Sequence, residues 1–192
     1  MKKHAVRIVG GEYRKTPIPV INAAGLRPTP DRVRETLFNW LRHFWNNHFS
    51  DKRVLDLFAG SGALGFEAAS HGVAHVQMVE QNHQAALGLR ALRNKLKADT
   101  VRIHEGDALT VLERLRETPF DLVLLDPPFS QGWLDKLWPH LPGILHTDSL
   151  VYVESEALIQ APEGFTILRQ SKAGQVHFYL LAFAATQKTD NN

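Results

Sequence analysis

Two short motifs in this 192-residue chain hold residue types that could do chemistry. The first is Ala59-Gly60-Ser61-Gly62-Ala63-Leu64-Gly65, a G-x-G-x-x-G turn preceded by Val54-Leu55-Asp56-Leu57-Phe58, with Glu80 twenty residues past Gly60. Such glycines let a backbone approach a ligand closely, and a helix N-terminus offers free N–H groups. A carboxylate at the end of the next strand can accept from two ribose hydroxyls. That is the chemistry of a nucleoside site. Asp56 narrows the choice, because a carboxylate at the lip of the loop repels a pyrophosphate and suits a cationic group. S-adenosylmethionine carries an ammonium and a sulfonium and no phosphate, so its charges fit. Asp56 could also be satisfied by loop N–H groups.

The second motif is Asp126-Pro127-Pro128-Phe129. Two prolines after an apolar run make a rigid turn with no N–H on either ring and a free Pro127 carbonyl. The Asp126 carboxylate and that carbonyl are two acceptors, and Phe129 adds an aromatic face. The exocyclic amino group of a flipped-out base needs those things. Asp107, in Gly106-Asp107-Ala108, ends a further strand. Asp56, Glu80, Asp107 and Asp126 therefore converge if the strands are parallel, because ligands in open α/β sheets bind outside the carboxyl ends. Asp107 could equally cap a helix.

The elements that must position these residues follow a strand–turn–helix rhythm. Strands are expected at Val54–Phe58, Val76–Glu80, Val101–Glu105, Phe120–Leu125 and Leu150–Glu154. Helices are expected at Ala63–Ser70, His83–Lys97, Leu109–Arg116 and Gly132–Leu141. Continuous apolar strands alternating with helices imply a mostly parallel sheet covered on both faces. Phe165–Gln170 and Gln175–Phe183 read as a closing antiparallel hairpin. Before this body, Val6 to Val20 reads as a β-hairpin around Gly10-Gly11, followed by a loop over 22–28. A helix then starts with Thr29 as cap and Pro30 in its first turn. Its apolar stripe is Val33, Leu37, Trp40, Leu41 and Phe44, with Arg32 and Arg34 off that stripe. The expected divisions are a basic extension over 1–28, a catalytic domain over 29–186 and a polar tail over 187–192.

Composition excludes several classes. The chain is 44% apolar and has no cysteine, which rules out disulfides, thiolate nucleophiles and Cys-type metal sites. It has no secretion signal and no apolar run of membrane-spanning length, so a soluble, cytoplasmic protein is expected. Ten histidines form no convincing ligand frame, His71/His75 included, and read as solvent-exposed; no metal is expected. The net charge of +2 hides an asymmetry. Residues 1–53 hold eleven Lys/Arg against four Asp/Glu, and the remainder eleven against sixteen. A basic first quarter on an acidic body points to a polyanion at one end. Arg7, Arg14, Lys15, Arg27, Arg32 and Arg34 are the candidate phosphate contacts.

Asp56-Leu57-Phe58-Ala59-Gly60-Ser61-Gly62 with Asp126-Pro127-Pro128-Phe129 resembles the class I S-adenosylmethionine-dependent methyltransferases that modify amino groups of nucleic acid bases. Arg7-Ile8-Val9-Gly10-Gly11, the segment from Arg27 to Thr36 and Lys172-Ala173-Gly174-Gln175-Val176 are similar to the bacterial RsmD family within them. The resemblance spans Arg7 to about Phe183. It implies a Rossmann-like α/β fold with a seven-stranded sheet whose last strand is antiparallel. The implied activity is methylation of N2 of a guanine in 16S ribosomal RNA, at position 966, with the small ribosomal subunit as partner. Asp126, Pro127 and Phe129 are then the expected catalytic residues. Asp56, Phe58, Gly60, Ser61, Gly62, Glu80, Asp107 and Ala108 are expected to hold S-adenosylmethionine, in a monomer. One departure is Gln81-Asn82 after Glu80, where many relatives carry a second charge. The rival readings are an adenine N6-methyltransferase, a dinucleotide-dependent dehydrogenase and a non-catalytic RNA-binding assembly factor. Local chemistry alone does not separate guanine from adenine.

Overall fold

Continuous apolar strands must be buried on both faces, and helices do that here. The computed structural model describes residues 6–20, 29–115 and 119–184. In chain order the elements are β1 (Val6–Arg7), β2 (Pro17–Ile18), α1 (Asp31–Phe44), β3 (Arg53–Asp56), α2 (Ala63–Ser70), β4 (His75–Glu80), α3 (His83–Leu96) and β5 (Val101–Glu105). Then follow α4 (Ala108–Arg114), β6 (Phe120–Leu125), α5 (Trp133–Leu137), a 3₁₀ helix (Trp138–Ile144), β7 (Leu145–Ser155), β8 (Phe165–Ala173) and β9 (Val176–Phe183). Seven strands form one sheet in the order β5-β4-β3-β6-β7-β9-β8, and β1 and β2 pair separately. β9 is antiparallel to both its neighbours, and the other pairs are parallel. The closing hairpin inserts β9 between β7 and β8, an order the sequence pattern did not specify.

Alternation along each strand divides the core. Val54, Leu122 and Leu124 pack with α1, α2 and α3 on one face. Leu55, Val123 and Leu125 pack with α4, α5 and the 3₁₀ helix on the other. Strand order reverses between β3 and β6, since β3 continues to β4 on one side and β6 to β7 on the other. The crevice at such a reversal is where an α/β sheet binds ligands, and both chemical motifs open onto it.

Several expected boundaries shift for identifiable reasons. The first strand stops at Asp56, and Leu57 and Phe58 already belong to the turn. The helix expected over Gly132–Leu141 is α-helical only to Leu137; Pro139 and Pro142 lack the N–H an α-helix needs, and the chain continues as 3₁₀. β7 begins at Leu145, five residues early. Thr29 does not cap α1: Pro30 occupies the N-cap and no side chain closes the end. The tail over 187–192 lies outside the described residues.

The N-terminal hairpin is docked on the body. Ile8 is fully buried and Ile18 nearly so. Gly11, with φ +71°, sits so close to α2 that a Cβ would meet the Ser70 carbonyl oxygen at 1.8 Å. Gly11 therefore serves close approach to α2, with the reversal itself completed at Lys15, where φ is +70°.

Candidate active site at the carboxyl edge of the sheet

Four acids stand at the carboxyl ends of neighbouring strands, and each is held differently. Asp56 is 1% exposed, and its Oδ2 accepts the Gly65 N–H at 3.0 Å. A Cβ on Gly65 would sit 2.9 Å from that oxygen and 2.5 Å from Met78 Cε, so the third glycine of the motif makes room for the acid and the strand behind it. Burial, with the Glu80 charge adding to it, pushes the Asp56 carboxyl up to about 7 despite the Gly65 and Phe58 N–H groups. Of the two expectations for Asp56, its satisfaction by loop N–H groups is what the structure shows.

Glu80 braces the glycine turn. Its Oε2 accepts the Gly60 N–H at 2.8 Å and its Oε1 the Asn82 N–H at 2.7 Å. Each oxygen keeps a lone pair for a ribose hydroxyl. The Gln81-Asn82 departure has a structural use, since Asn82 caps α3 by accepting the Ala85 N–H at 3.0 Å. Gly60 and Gly62 both have positive φ, +53° and +82°. Ser61 lies between them, and Phe58 meets Trp133 edge-on at 5.3 Å. Asp107 is a helix cap, its Oδ2 accepting the N–H and hydroxyl of Thr110 at 3.0 Å each. Ala108 is buried as the first residue of α4.

The second motif leaves β6 beside the first. Asp126 is half-buried, Pro127 buried and Phe129 half-buried. Burial and the nearby Glu154 and Asp56 charges hold the Asp126 carboxyl well above the usual carboxylate range. Glu154, 5% exposed, is the penultimate residue of β7, one strand over; its carboxyl is raised by burial. Thr29 Oγ1 lies 2.9 Å from Glu154 Oε1 and 3.4 Å from Asp126 Oδ2. Having one proton, it donates to the nearer carboxylate. Tyr152 donates to the same Glu154 oxygen at 2.9 Å. Sequence reasoning missed Thr29, Tyr152 and Glu154. The signal for Glu154 was present, since it is a fifth strand ending in an acid.

The basic candidates separate into three groups. Arg7, Arg14, Lys15 and Arg32 are exposed, with Arg7 Nε 3.2 Å from Asp31. Arg27 lies outside the described residues. Arg34 is fully buried, which corrects both its expected surface position and its phosphate role. Its Nη2 donates to Asp31 and to the Arg7 carbonyl at 2.6 Å each, and its Nε is 3.9 Å from Glu67. Glu67, 1% exposed, in turn accepts the Val9 and Gly10 N–H groups at 2.9 and 2.7 Å. His71 also departs from expectation: its side chain is 8% exposed, 3.6 Å from Glu67 and stacked on Phe38 at 4.6 Å. Among the described residues no cluster of three or more His, Asp or Glu is arranged to hold a metal. No described helix is long and apolar enough to cross a membrane.

Comparison with known proteins yields consistent matches. Residues 6–182 match the family described as conserved hypothetical protein 95. Ribosomal RNA small subunit methyltransferase D of Escherichia coli K12 is 39% identical over 96% of this chain and 93% of its own. The protein of the same name from Haemophilus influenzae is 37% identical over 93% of this chain and 94% of its own. A solved structure of the Escherichia coli methyltransferase yhhF superposes with a TM-score of 0.82 at 38% identity, covering 94% of this chain and 99% of that one.

Proposed function

The chain belongs to the family described as conserved hypothetical protein 95, the RsmD family, and from that premise we propose that it methylates the exocyclic N2 of a guanine in 16S ribosomal RNA. The target is guanine 966, presented on the small subunit or an assembly intermediate. One observation supports the reading: β3 and β6 are hydrogen-bonded neighbours, with Asp56 paired to Leu124, so the glycine turn and Asp126-Pro127-Pro128-Phe129 leave the carboxyl ends of adjacent strands. A donor site and an acceptor site for an amino group therefore lie side by side.

The donor residues suit S-adenosylmethionine. Asp56 and Glu80 offer carboxylate oxygens with no cation paired to them among the described residues, and the turn between them is glycine. In the proposed site Glu80 takes the ribose hydroxyls and Asp56 faces the cationic amino-acid end. When bound, S-adenosylmethionine supplies a methyl on a sulfonium, an electrophile for an amine. Asp126 and the Pro127 carbonyl accept the two N2–H bonds, fix the amino nitrogen and align its lone pair. Phe129 stacks on the base. Methylation of the amine would leave it one proton to lose, and the Asp126 carboxylate is placed to receive that proton. The exposed Arg7, Arg14, Lys15 and Arg32 contact phosphates.

Incubation with labelled S-adenosylmethionine and small subunits lacking base methylation, followed by nucleoside analysis, tests this reading. N2-methylguanosine is expected. Labelled N6-methyladenosine would overturn the assignment of the base, and absence of both label and cofactor binding would overturn the enzyme.

A further inference from the structure

We propose that Glu154 selects guanine by accepting its N1–H while Asp126 and the Pro127 carbonyl hold N2. This rests on the reading above and concerns a residue that neither chemical motif contains. Four observations point to it. Leu125 of β6 pairs with Val153 of β7, so Asp126, just past β6, and Glu154, near the end of β7, stand at adjacent positions. Thr29 Oγ1 stands within reach of both carboxylates and donates to Glu154. Glu154 Oε1 is held by two O–H donors, from Thr29 and Tyr152, while Oε2 accepts no hydrogen bond among the described residues. Finally, Glu154 is 95% buried yet lines a cavity of about 470 Å³ with Pro127, Phe129 and Trp133. A buried carboxylate with one oxygen pinned by two donors and the other without a partner among the described residues, on the wall of a space large enough for a base, is a pre-oriented acceptor.

The order of acceptors matches one base edge. Around guanine the donors run N1–H, then the two hydrogens of N2. On the protein, Glu154 stands on β7 beside Asp126, and Pro127 follows Asp126 out of β6, so in the proposed pose the acceptors run Glu154, Asp126, Pro127 carbonyl. Adenine, with its N6 amine in the same place, would present the N1 lone pair to Glu154, acceptor against acceptor. The Asp-Pro-Pro-Phe motif accepts either amine; Glu154 separates them. Thr29 and Tyr152 act as positioning residues by fixing the carboxylate.

2-Aminopurine keeps the 2-amino group and replaces N1–H by a lone pair; it also loses O6, so the contact is isolated by comparing its use by the wild type and by a Glu154 variant. Small subunits are reconstituted with 16S RNA carrying guanine or 2-aminopurine at the target, and kcat/KM is measured for the wild type and for Glu154→Gln. The wild type should prefer guanine by roughly 10- to 100-fold, the value of one hydrogen bond to a charged group. Glu154→Gln can offer an amide N–H to the N1 lone pair and should bring that ratio close to one, with cofactor affinity unchanged. Equal use of both bases by the wild type would overturn the proposal whatever the variant does. So would a variant that loses activity on both bases by the same factor. Failure of the wild type to methylate guanine at N2 would instead overturn the function on which the proposal rests.

Discussion

Two clusters of buried acids lie on this molecule, and they are treated in opposite ways. Beneath the N-terminal hairpin, Glu67 is surrounded by positive character: Arg34 at 3.9 Å, His71 at 3.6 Å and two backbone N–H groups. At the carboxyl edge of the sheet, Asp56 and Glu154 are buried and Asp126 half-buried, and none forms an ion pair among the described residues. Uncompensated burial of charge is costly, and a group in that position is neutralised or waits for a partner. The first cluster has its cation built in and joins the hairpin to α1 and α2. The second lacks one, and its carboxyls rise as a result. A cationic cofactor and an amine with N–H donors would supply what it lacks. The contrast distinguishes a joint from the proposed site.

Substitutions should therefore move different quantities in the two clusters. Asp126→Asn should lower turnover by about 10²–10⁴ and leave cofactor affinity and thermal stability unchanged or raised, since it removes a buried charge that repels Glu154. Paired single-turnover and calorimetric measurements check this; a large loss of stability would place Asp126 with the joint. Arg34→Met should do the reverse. Leaving Glu67 without its guanidinium should cost about 3–5 kcal/mol of stability, read by denaturant unfolding. The cofactor site, on the opposite edge of α2, should keep its affinity in the folded fraction. The smallest effect belongs to the exposed charges on and around the hairpin. Alanine at Arg7, Arg14 and Lys15 together should reduce the slope of log affinity for RNA against log salt by up to about three, and leave transfer on bound substrate unchanged. An unchanged slope would remove the hairpin from the RNA interface.

Legibility followed locality. The strand–glycine–helix rhythm and the acids at strand ends were readable because each is set by neighbours in sequence. Asp126-Pro127-Pro128-Phe129 was readable for the same reason. What escaped were contacts between distant segments. Arg34 looked like a surface charge because a helical stripe of apolar residues says nothing about a carboxylate brought over from α2, 33 positions away. Thr29 had the right type and place for a cap, but its hydroxyl found a better acceptor in Glu154, 125 positions along. Gly11 looked like a turn residue, and its position is dictated by Ser70. Glu154 was within reach, because the rule applied to four strands applied to a fifth.

The claim that the sheet edge is an anionic site completed by a cation is tested most directly by the protons exchanged on cofactor binding. Asp56 is raised to about 7 in the free protein, so near pH 6 it is largely protonated. A cation placed against it lowers that value and expels the proton. Titration of S-adenosylmethionine into the protein at pH 6, in buffers of different ionisation enthalpy, should show release of up to about one proton per cofactor. The release should diminish above pH 8 and vanish in Asp56→Asn. Binding with no proton release, or with equal release in Asp56→Asn, would show that Asp56 does not meet the cofactor's charge.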